Sequence, residues 1–222
     1  MGRLRIRPST LITAMTLIDI HTHNSKADNS KAILNCNGYI GNRCISLGIH
    51  PWDTNDSWRE KFGTIATAAV KDNVVAIGEC GIDRLKAQTS IQTQIEVLES
   101  HAILAEECSK PLILHCVKGI DEILALRKEL KPKQAWIIHG FRGKPQQATQ
   151  ITAAGIYVSF GEHFNAGSVI AVPADRLFVE SDESQMPLEE IYRAVAGARG
   201  CTAEELAQQT AINAALAFHG RI

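Results

Sequence analysis

The 222-residue chain lacks the features that mark several classes of protein. It has no apolar run near the roughly 20 residues that cross a membrane, so we expect no membrane segment. Lys and Arg number 23 against 24 Asp and Glu, and the formal net charge of −1 excludes a broadly basic nucleic-acid-coating surface. Any attraction to phosphate must therefore be local. The hydrophobic fraction of 45% and the charged fraction of 21% are typical of a globular domain.

The six cysteines lack CxxC pairs and zinc-finger spacings, which predicts reduced thiols in a cytoplasmic protein. The basic start and the short apolar stretch that follows it raise the question of a signal peptide. Cleavage there would cut into the strand that carries the motif beginning at Asp19, so we reject secretion. We predict an N-terminal extension over residues 1–15 and a single domain over residues 16–222.

Short apolar runs recur along the chain with helical stretches between most of them. The runs cover residues 17–21, 32–36, 44–49, 74–79, 111–115, 135–139, 156–160 and 177–180. Such runs are typical of strands buried on both faces, and eight of them close a barrel. The predicted fold is therefore α/β, a TIM-type (β/α)8 barrel. Because only residues 24–31 separate the first two runs, the first helices are expected to be shortened or missing.

Residue types that bind metal stand at or just beyond the ends of these runs. Taken one at a time, each could be a salt-bridge partner, a satisfied core histidine or a helix N-cap. His21 and His23 lie two apart on a strand and so point to the same side, and a buried carboxylate such as Glu79 is costly unless it is paired or metal-bound. The full set of candidate metal ligands is His21, His23, Glu79, His115, His139 and Asp182.

The ends of parallel barrel strands converge on one mouth, so we expect these six side chains to meet there. Four imidazoles and two carboxylates suffice for two divalent ions, and Glu79 is best suited to bridge them. No cysteine belongs to the set, which favours a catalytic site over a structural zinc site.

The motif order DxHxH, G-x-HP, GE-x-GxD, PxxxH, HGF and ESD, from Asp19 to His219, resembles the TatD family of metal-dependent hydrolases, often described as TatD-type DNases. The resemblance also implies that His50, in the G-x-HP turn, lies near the substrate. It implies two metal sites that share Glu79, the first held by His21, His23 and Asp182 and the second by His115 and His139.

The chain departs from the family pattern around the phosphate-contacting positions. Val117 stands where the family commonly has an arginine. The family's usual HCFSG motif reads HGFRG here, beginning at His139. Basic residues follow the ligand-bearing strands and are expected to ring the mouth, attracting an anionic substrate. They are Arg84, Lys86, Lys118, Arg142 and Lys144. We expect Lys118 and Arg142 to bind substrate in place of the absent arginine.

Together these patterns predict a hydrolase that uses one or two divalent ions (Zn, Mn, Mg, Fe or Ni) to activate water. Asp182 is the candidate general base, and Glu79 shares the catalytic role as the bridging ligand. The resemblance favours a nuclease or phosphodiesterase that acts on nucleic acid or another phosphodiester. We expect a monomer that does not bind membranes.

Other functions stay open at this stage. A deacylase or amidohydrolase would act on an ester or amide, although such barrels usually bridge their metals with a carbamylated lysine, which the fourth strand lacks. A phosphatase-type barrel usually ends its last strand in DxH, whereas here Asp182 is followed by Glu183 and Ser184. A metal-stabilised binding module without activity is the third possibility, and dependence of turnover on Asp182 would distinguish it.

Overall fold

The structure, a computed structural model, describes residues 16–27, 31–36 and 41–222. The predicted extension over residues 1–15 lies outside these residues, so its separation from the domain stays a prediction. Among the described residues, no helix combines the length and the apolar character needed to span a membrane.

Eight parallel strands form one sheet whose spatial order is the order of the chain. They are β1 (Asp19–Thr22), β2 (Ala32–Asn35), β3 (Ile45–Leu47), β4 (Val74–Asp83), β5 (Leu112–Val117), β6 (Trp136–Ile138), β7 (Tyr157–Phe160) and β8 (Leu177–Val179). The last strand returns to the first, because Asp182 N donates to His21 O and His23 N donates to Asp182 O, each at 3.0 Å. The sheet is thus a nearly closed barrel, and the predicted TIM-type fold is confirmed.

Seven α-helices lie in the described part of the chain. They are α1 (Trp58–Ala69), α2 (Ile91–Glu107), α3 (Ile120–Leu130), α4 (Pro145–Ala153), α5 (Ala166–Ala171), α6 (Leu188–Arg199) and α7 (Ala203–Ala217). Short 3-10 helices cover Pro51–Asp53 and Ala174–Arg176. No helix occurs in the described residues between β1 and β2 or between β2 and β3. The expectation that the first helices are missing or shortened is therefore confirmed.

The core has two layers because neighbouring residues of a strand face opposite sides of the sheet. Leu112 and Leu114 of β5 pack in the larger cluster, which lies between the strands and the helices. Ile113, between them, belongs to a second cluster with Phe178 of β8. Phe218, just after α7, packs on Phe178 with ring centroids 6.1 Å apart. The second cluster therefore fills the barrel interior, and the end of α7 contributes to it.

His101 in α2 is a buried histidine that serves this core rather than the mouth of the barrel. Its Nε2 accepts a hydrogen bond from Ile49 N (3.0 Å), and its Nδ1 donates to Val97 O (2.7 Å). Burial lowers the pKa of His101 to about 4, despite the hydrogen bond to Val97. The side chain is therefore neutral in the folded protein at neutral pH.

We predict that His101 makes the fold sensitive to acid. The unfolded chain binds a proton at this residue near pH 6.5, and the folded chain only near pH 4. As the pH is lowered from 6.5 to 4, the free energy of unfolding should therefore fall by about 3 kcal/mol. In His101→Gln that part of the loss should be absent. Urea unfolding at pH 7, 5.5 and 4 measures the difference, and an identical pH dependence in both proteins would contradict it.

Candidate metal centre

Glu79 lies within β4 and not at its end, so the sequence-based placement was wrong. The pairing of β4 with β5 shifts register between Ile77 and Cys80 and then continues to Asp83. Gly78 lies within this irregularity and Gly81 just after it, and their φ values of 129° and 143° favour glycine. A Cβ on either residue would come within 2.3 Å of a carbonyl oxygen of β5. These glycines let β4 lie against β5 while the strand redirects the Glu79 side chain.

The two carboxylate oxygens of Glu79 face two different pairs of histidines. Oε2 lies 3.3 Å from His21 Nε2 and 3.7 Å from His23 Nε2. Oε1 lies 2.7 Å from His139 Nε2 and 2.8 Å from His115 Nδ1. The side chain is almost fully buried, at 3% exposure. Glu79 thus stands between two pairs of imidazoles.

Asp182 lies beside the first pair of histidines, His21 and His23, because its backbone is hydrogen-bonded to β1. Its Oδ1 lies 3.8 Å from His21 Nε2 and 3.7 Å from His23 Nε2. The residue has a φ of 52°, in the left-handed region, where the chain turns away from β8. Its side chain is partly exposed, unlike that of Glu79. The structure therefore brings all six candidate metal ligands together, although their role as ligands stays a prediction.

The chemistry of these residues fits a bound divalent ion. Both ring nitrogens of His21 are buried without a hydrogen-bond partner among the described residues. Unpaired buried nitrogens are costly unless a ligand satisfies them. In the described part of the chain, donor atoms converge in four overlapping groups, which are His21–His23–Asp182, His21–Glu79–His139, His50–Glu79–His115 and His139–Glu180–Asp182. Imidazole with carboxylate is a ligand set that suits Zn, Mn or Fe.

Glu79 and His139 hold each other in their charged forms. Burial alone would raise the pKa of Glu79, but the charge of His139 and hydrogen bonds from His115 and His139 hold that pKa well below its ordinary value. Burial alone would lower the pKa of His139, but the charge of Glu79 raises it well above its ordinary value. An ion that binds to His139 must replace this proton.

Two further carboxylates support the histidines of the second pair, and sequence reasoning gave neither of them a role. Asp83 Oδ2 lies 3.2 Å from His115 Nε2, on the ring edge away from Glu79. Glu180 Oε1 lies 3.4 Å from His139 Nδ1 and accepts a hydrogen bond from Gly140 N (2.5 Å). Each histidine is therefore held between Glu79 and an outer carboxylate, an arrangement that fixes the orientation of its ring. Asp83 ends the GE-x-GxD motif and Glu180 begins the ESD motif, so their places in these motifs were the sequence signal that could have revealed both.

Asn35, at the end of β2, fixes Glu79 from the other side and was also missed. Its Nδ2 donates to Glu79 Oε2 (3.3 Å), and its Oδ1 accepts from Glu79 N (3.1 Å). The same Oδ1 accepts from Ser46 Oγ (3.3 Å). An asparagine at a strand end carries no metal-binding signal, so only the pairing of β2, β3 and β4 reveals this role.

A cavity of about 560 Å³ opens over the second histidine pair. Of the five basic residues expected at the mouth, three line it, namely Lys86, Lys118 and Arg142. Arg84 instead forms an ion pair with Glu122 of α3, and Lys144 precedes α4. Neither lines this cavity, so the expectation of a five-membered basic ring was wrong for these two residues. Arg84 is directed instead to the carboxylate of Glu122, and Lys144 is the N-cap residue of α4.

Comparison with known proteins identifies the family. Residues 11–219 match the family described as TatD related DNase. The chain belongs to this family. The resemblance to the TatD family is thereby confirmed, and with it the prediction of a metal-dependent hydrolase.

Relatives of this TatD-family chain include proteins named as exonucleases and proteins named as metal-dependent hydrolases. It is 29% identical over 201 residues to the 3'-5' ssDNA/RNA exonuclease TatD of Erwinia tasmaniensis, covering 78% of this chain and 77% of that protein. It is 28% identical over 203 residues to the uncharacterized metal-dependent hydrolase YcfH of Escherichia coli, covering 82% and 76%. The crystal structure of YjjV, a TatD homolog from Escherichia coli, matches with a TM-score of 0.78 at 20% identity, covering 92% and 98%. This last likeness supports the fold.

We predict that Glu180→Gln weakens binding of a divalent ion by roughly 10- to 100-fold, because the amide no longer stabilises the ring of His139. Titration of metal-free protein with Zn²⁺ or Mn²⁺ by calorimetry measures the affinity. Glu162→Gln is the matched control, since that carboxylate accepts a hydrogen bond from Ser184 Oγ (2.6 Å) instead. Equal affinities for Glu180→Gln and the wild type would contradict the supporting role of Glu180.

Proposed function

We propose that the chain is a nuclease or phosphodiesterase that cleaves single-stranded nucleic acid with divalent ions held around Glu79. The observation that carries this proposal is the division of the Glu79 oxygens between two histidine pairs, beside a cavity lined by cations. Family membership and the name of the Erwinia relative as an ssDNA/RNA exonuclease support the substrate class. The cytoplasmic location and the monomeric state stay predictions from the sequence.

In this proposal His21, His23 and Asp182 hold one ion, His115 and His139 hold the other, and Glu79 lies between them. When bound, divalent ions polarise a phosphoryl group and lower the pKa of water. The imidazole-rich set favours Zn, Mn or Fe over Mg. The separation of the two histidine pairs by a single carboxylate favours two ions over one.

Asp182 is the proposed general base, and its position supports this role. It is the one carboxylate of the six ligands whose side chain is partly exposed, at 28%, and it lines the cavity with His115 and His139. Its backbone bonds to His21 and His23 fix the carboxylate relative to β1. In the proposed reaction the Asp182 carboxylate accepts the proton of the attacking water.

His50 is better placed as a donor to substrate than as a metal ligand. Its Nδ1 accepts a hydrogen bond from Trp52 N (3.1 Å), so its ring proton is on Nε2. That Nε2 lies 3.2 Å from Glu79 Oε1 and therefore faces the centre. A protonated nitrogen has no lone pair for a metal, but it can donate to a phosphate oxygen.

Lys118 and Arg142 are the proposed phosphate contacts. Both are exposed, both line the cavity, and neither side chain forms a hydrogen bond or an ion pair with the residues that the structure describes. Lys118 follows β5 with a φ of 57°, and Arg142 follows β6. Each therefore lies on the loop that follows one of the candidate metal ligands, His115 for Lys118 and His139 for Arg142. A cation there can stabilise the negative charge that develops on a phosphoryl oxygen.

Lys118→Ala and Arg142→Ala should each lower phosphodiester cleavage by about 10²–10³, because each removes an electrostatic donor from the reacting phosphoryl group. A neutral carboxylic ester should be almost unaffected. The measurement is kcat/KM on a short DNA strand and on the ester for each variant. Lys144→Ala is the matched control, since Lys144 is an exposed cation two residues from Arg142 that does not line the cavity.

Equal losses on the charged and the neutral substrate would contradict the phosphate role and indicate a structural one. Full retention of both activities, with the ester as the better substrate, would favour the deacylase hypothesis over the nuclease.

A further inference from the structure

Trp52 is an exposed tryptophan at the edge of the catalytic cavity. Its side chain is 44% exposed, whereas Trp58 and Trp136 are 5% and 0% exposed. It lies in the 3-10 helix Pro51–Asp53 and lines the same cavity as His115. Because burial of a large ring stabilises a fold, an exposed tryptophan at a site suggests a contact with something other than the chain.

The Trp52 ring is held in one orientation although it is exposed. Its Nε1 donates to Asp83 Oδ2 (2.6 Å), the carboxylate that also supports His115. Its ring centroid lies 4.6 Å from that of His50, with the planes at 80°, and 5.9 Å from that of His115. A ring fixed before binding loses little conformational entropy when a ligand stacks on it.

The surroundings of Trp52 combine an aromatic surface with positive charge. Lys86 Nζ lies 4.3 Å from the ring centroid, and Lys118 and Arg142 line the same cavity. Leu85, which is 70% exposed, adds apolar surface to the same rim. Proteins that bind single-stranded nucleic acid use this combination, with cations along the phosphates and aromatic rings under the bases.

We propose that Trp52 is the stacking platform for a nucleobase next to the scissile phosphate, and that it makes the enzyme prefer base-bearing strands to base-free phosphodiesters. The inference rests on the proposed nucleic-acid substrate and adds a specificity-determining residue to it. The position of Trp52 beside His115 places a stacked base within one nucleotide of the metal ligands. The exposed ring is accessible to unpaired bases, whereas bases within a duplex already stack on each other.

Binding of two short strands to the metal-loaded protein tests this proposal. One is a six-nucleotide adenine strand and the other is its base-free counterpart, both with phosphorothioate linkages that resist hydrolysis. Fluorescence anisotropy gives the Kd of each. The wild type should bind the base-bearing strand more tightly, and Trp52→Leu should weaken that strand about tenfold while leaving the base-free strand unchanged. Trp52→Phe keeps an aromatic ring and should retain most of the preference.

Lys118→Ala provides the matched control. It should weaken both strands by the same factor and leave the ratio of the two Kd values unchanged, because it removes a phosphate contact and no base contact. Intrinsic fluorescence gives a second readout, since the other two tryptophans are buried. The base-bearing strand should quench the emission of the wild type and not that of Trp52→Phe.

The outcomes separate this inference from the function on which it rests. If both strands bind equally well to the wild type, the stacking role is overturned and the nucleic-acid substrate stands. If Trp52→Leu weakens both strands equally, Trp52 serves only to position Asp83 and His115, which also overturns the proposal. If neither strand binds, the proposed substrate fails and the inference fails with it.

Discussion

A carboxylate buried among four histidines is the constraint on which the rest of this structure depends. Removing the charge of Glu79 from water is costly, and His139 and His115 offset that cost through charge and hydrogen bonds to Oε1. His21 and His23 face the other oxygen, where His21 has unsatisfied nitrogens. Hydrogen bonds therefore satisfy the Oε1 side of Glu79, whereas the buried nitrogens of His21 on the Oε2 side are free to bind an ion.

The surrounding barrel keeps Glu79 in this position. Asn35 holds its backbone and one oxygen, and glycines on both sides let β4 lie close to β5. The outer carboxylates of Asp83 and Glu180 fix the histidines of the second pair. Asp83 also accepts the hydrogen bond from Trp52, so the same carboxylate links the metal ligands to the exposed rim. The proposed metal ligands and the proposed stacking ring of Trp52 therefore share one chain of contacts.

The sequence predicted the parts of the fold that follow from local patterns. Apolar runs buried on both faces indicated eight strands, and parallel topology placed ligands such as His21 and His115 at one mouth. The position of Glu79 inside β4 could not be predicted, because glycines normally end strands and here the pairing with β5 continues past them. The ion pair of Arg84 with Glu122, 38 residues away, was likewise invisible, since a local pattern contains no information about distant partners.

The most direct test of the account is anomalous diffraction from crystals grown with Mn²⁺ or Zn²⁺. The account predicts two peaks, one bound to Glu79 Oε2 on the side of His21 and His23 and one to Oε1 on the side of His115 and His139. Ligand distances should be about 2.0–2.3 Å. A metal peak remote from Glu79, or ions that leave its two oxygens uncoordinated, would contradict the claim that this buried carboxylate organises the centre.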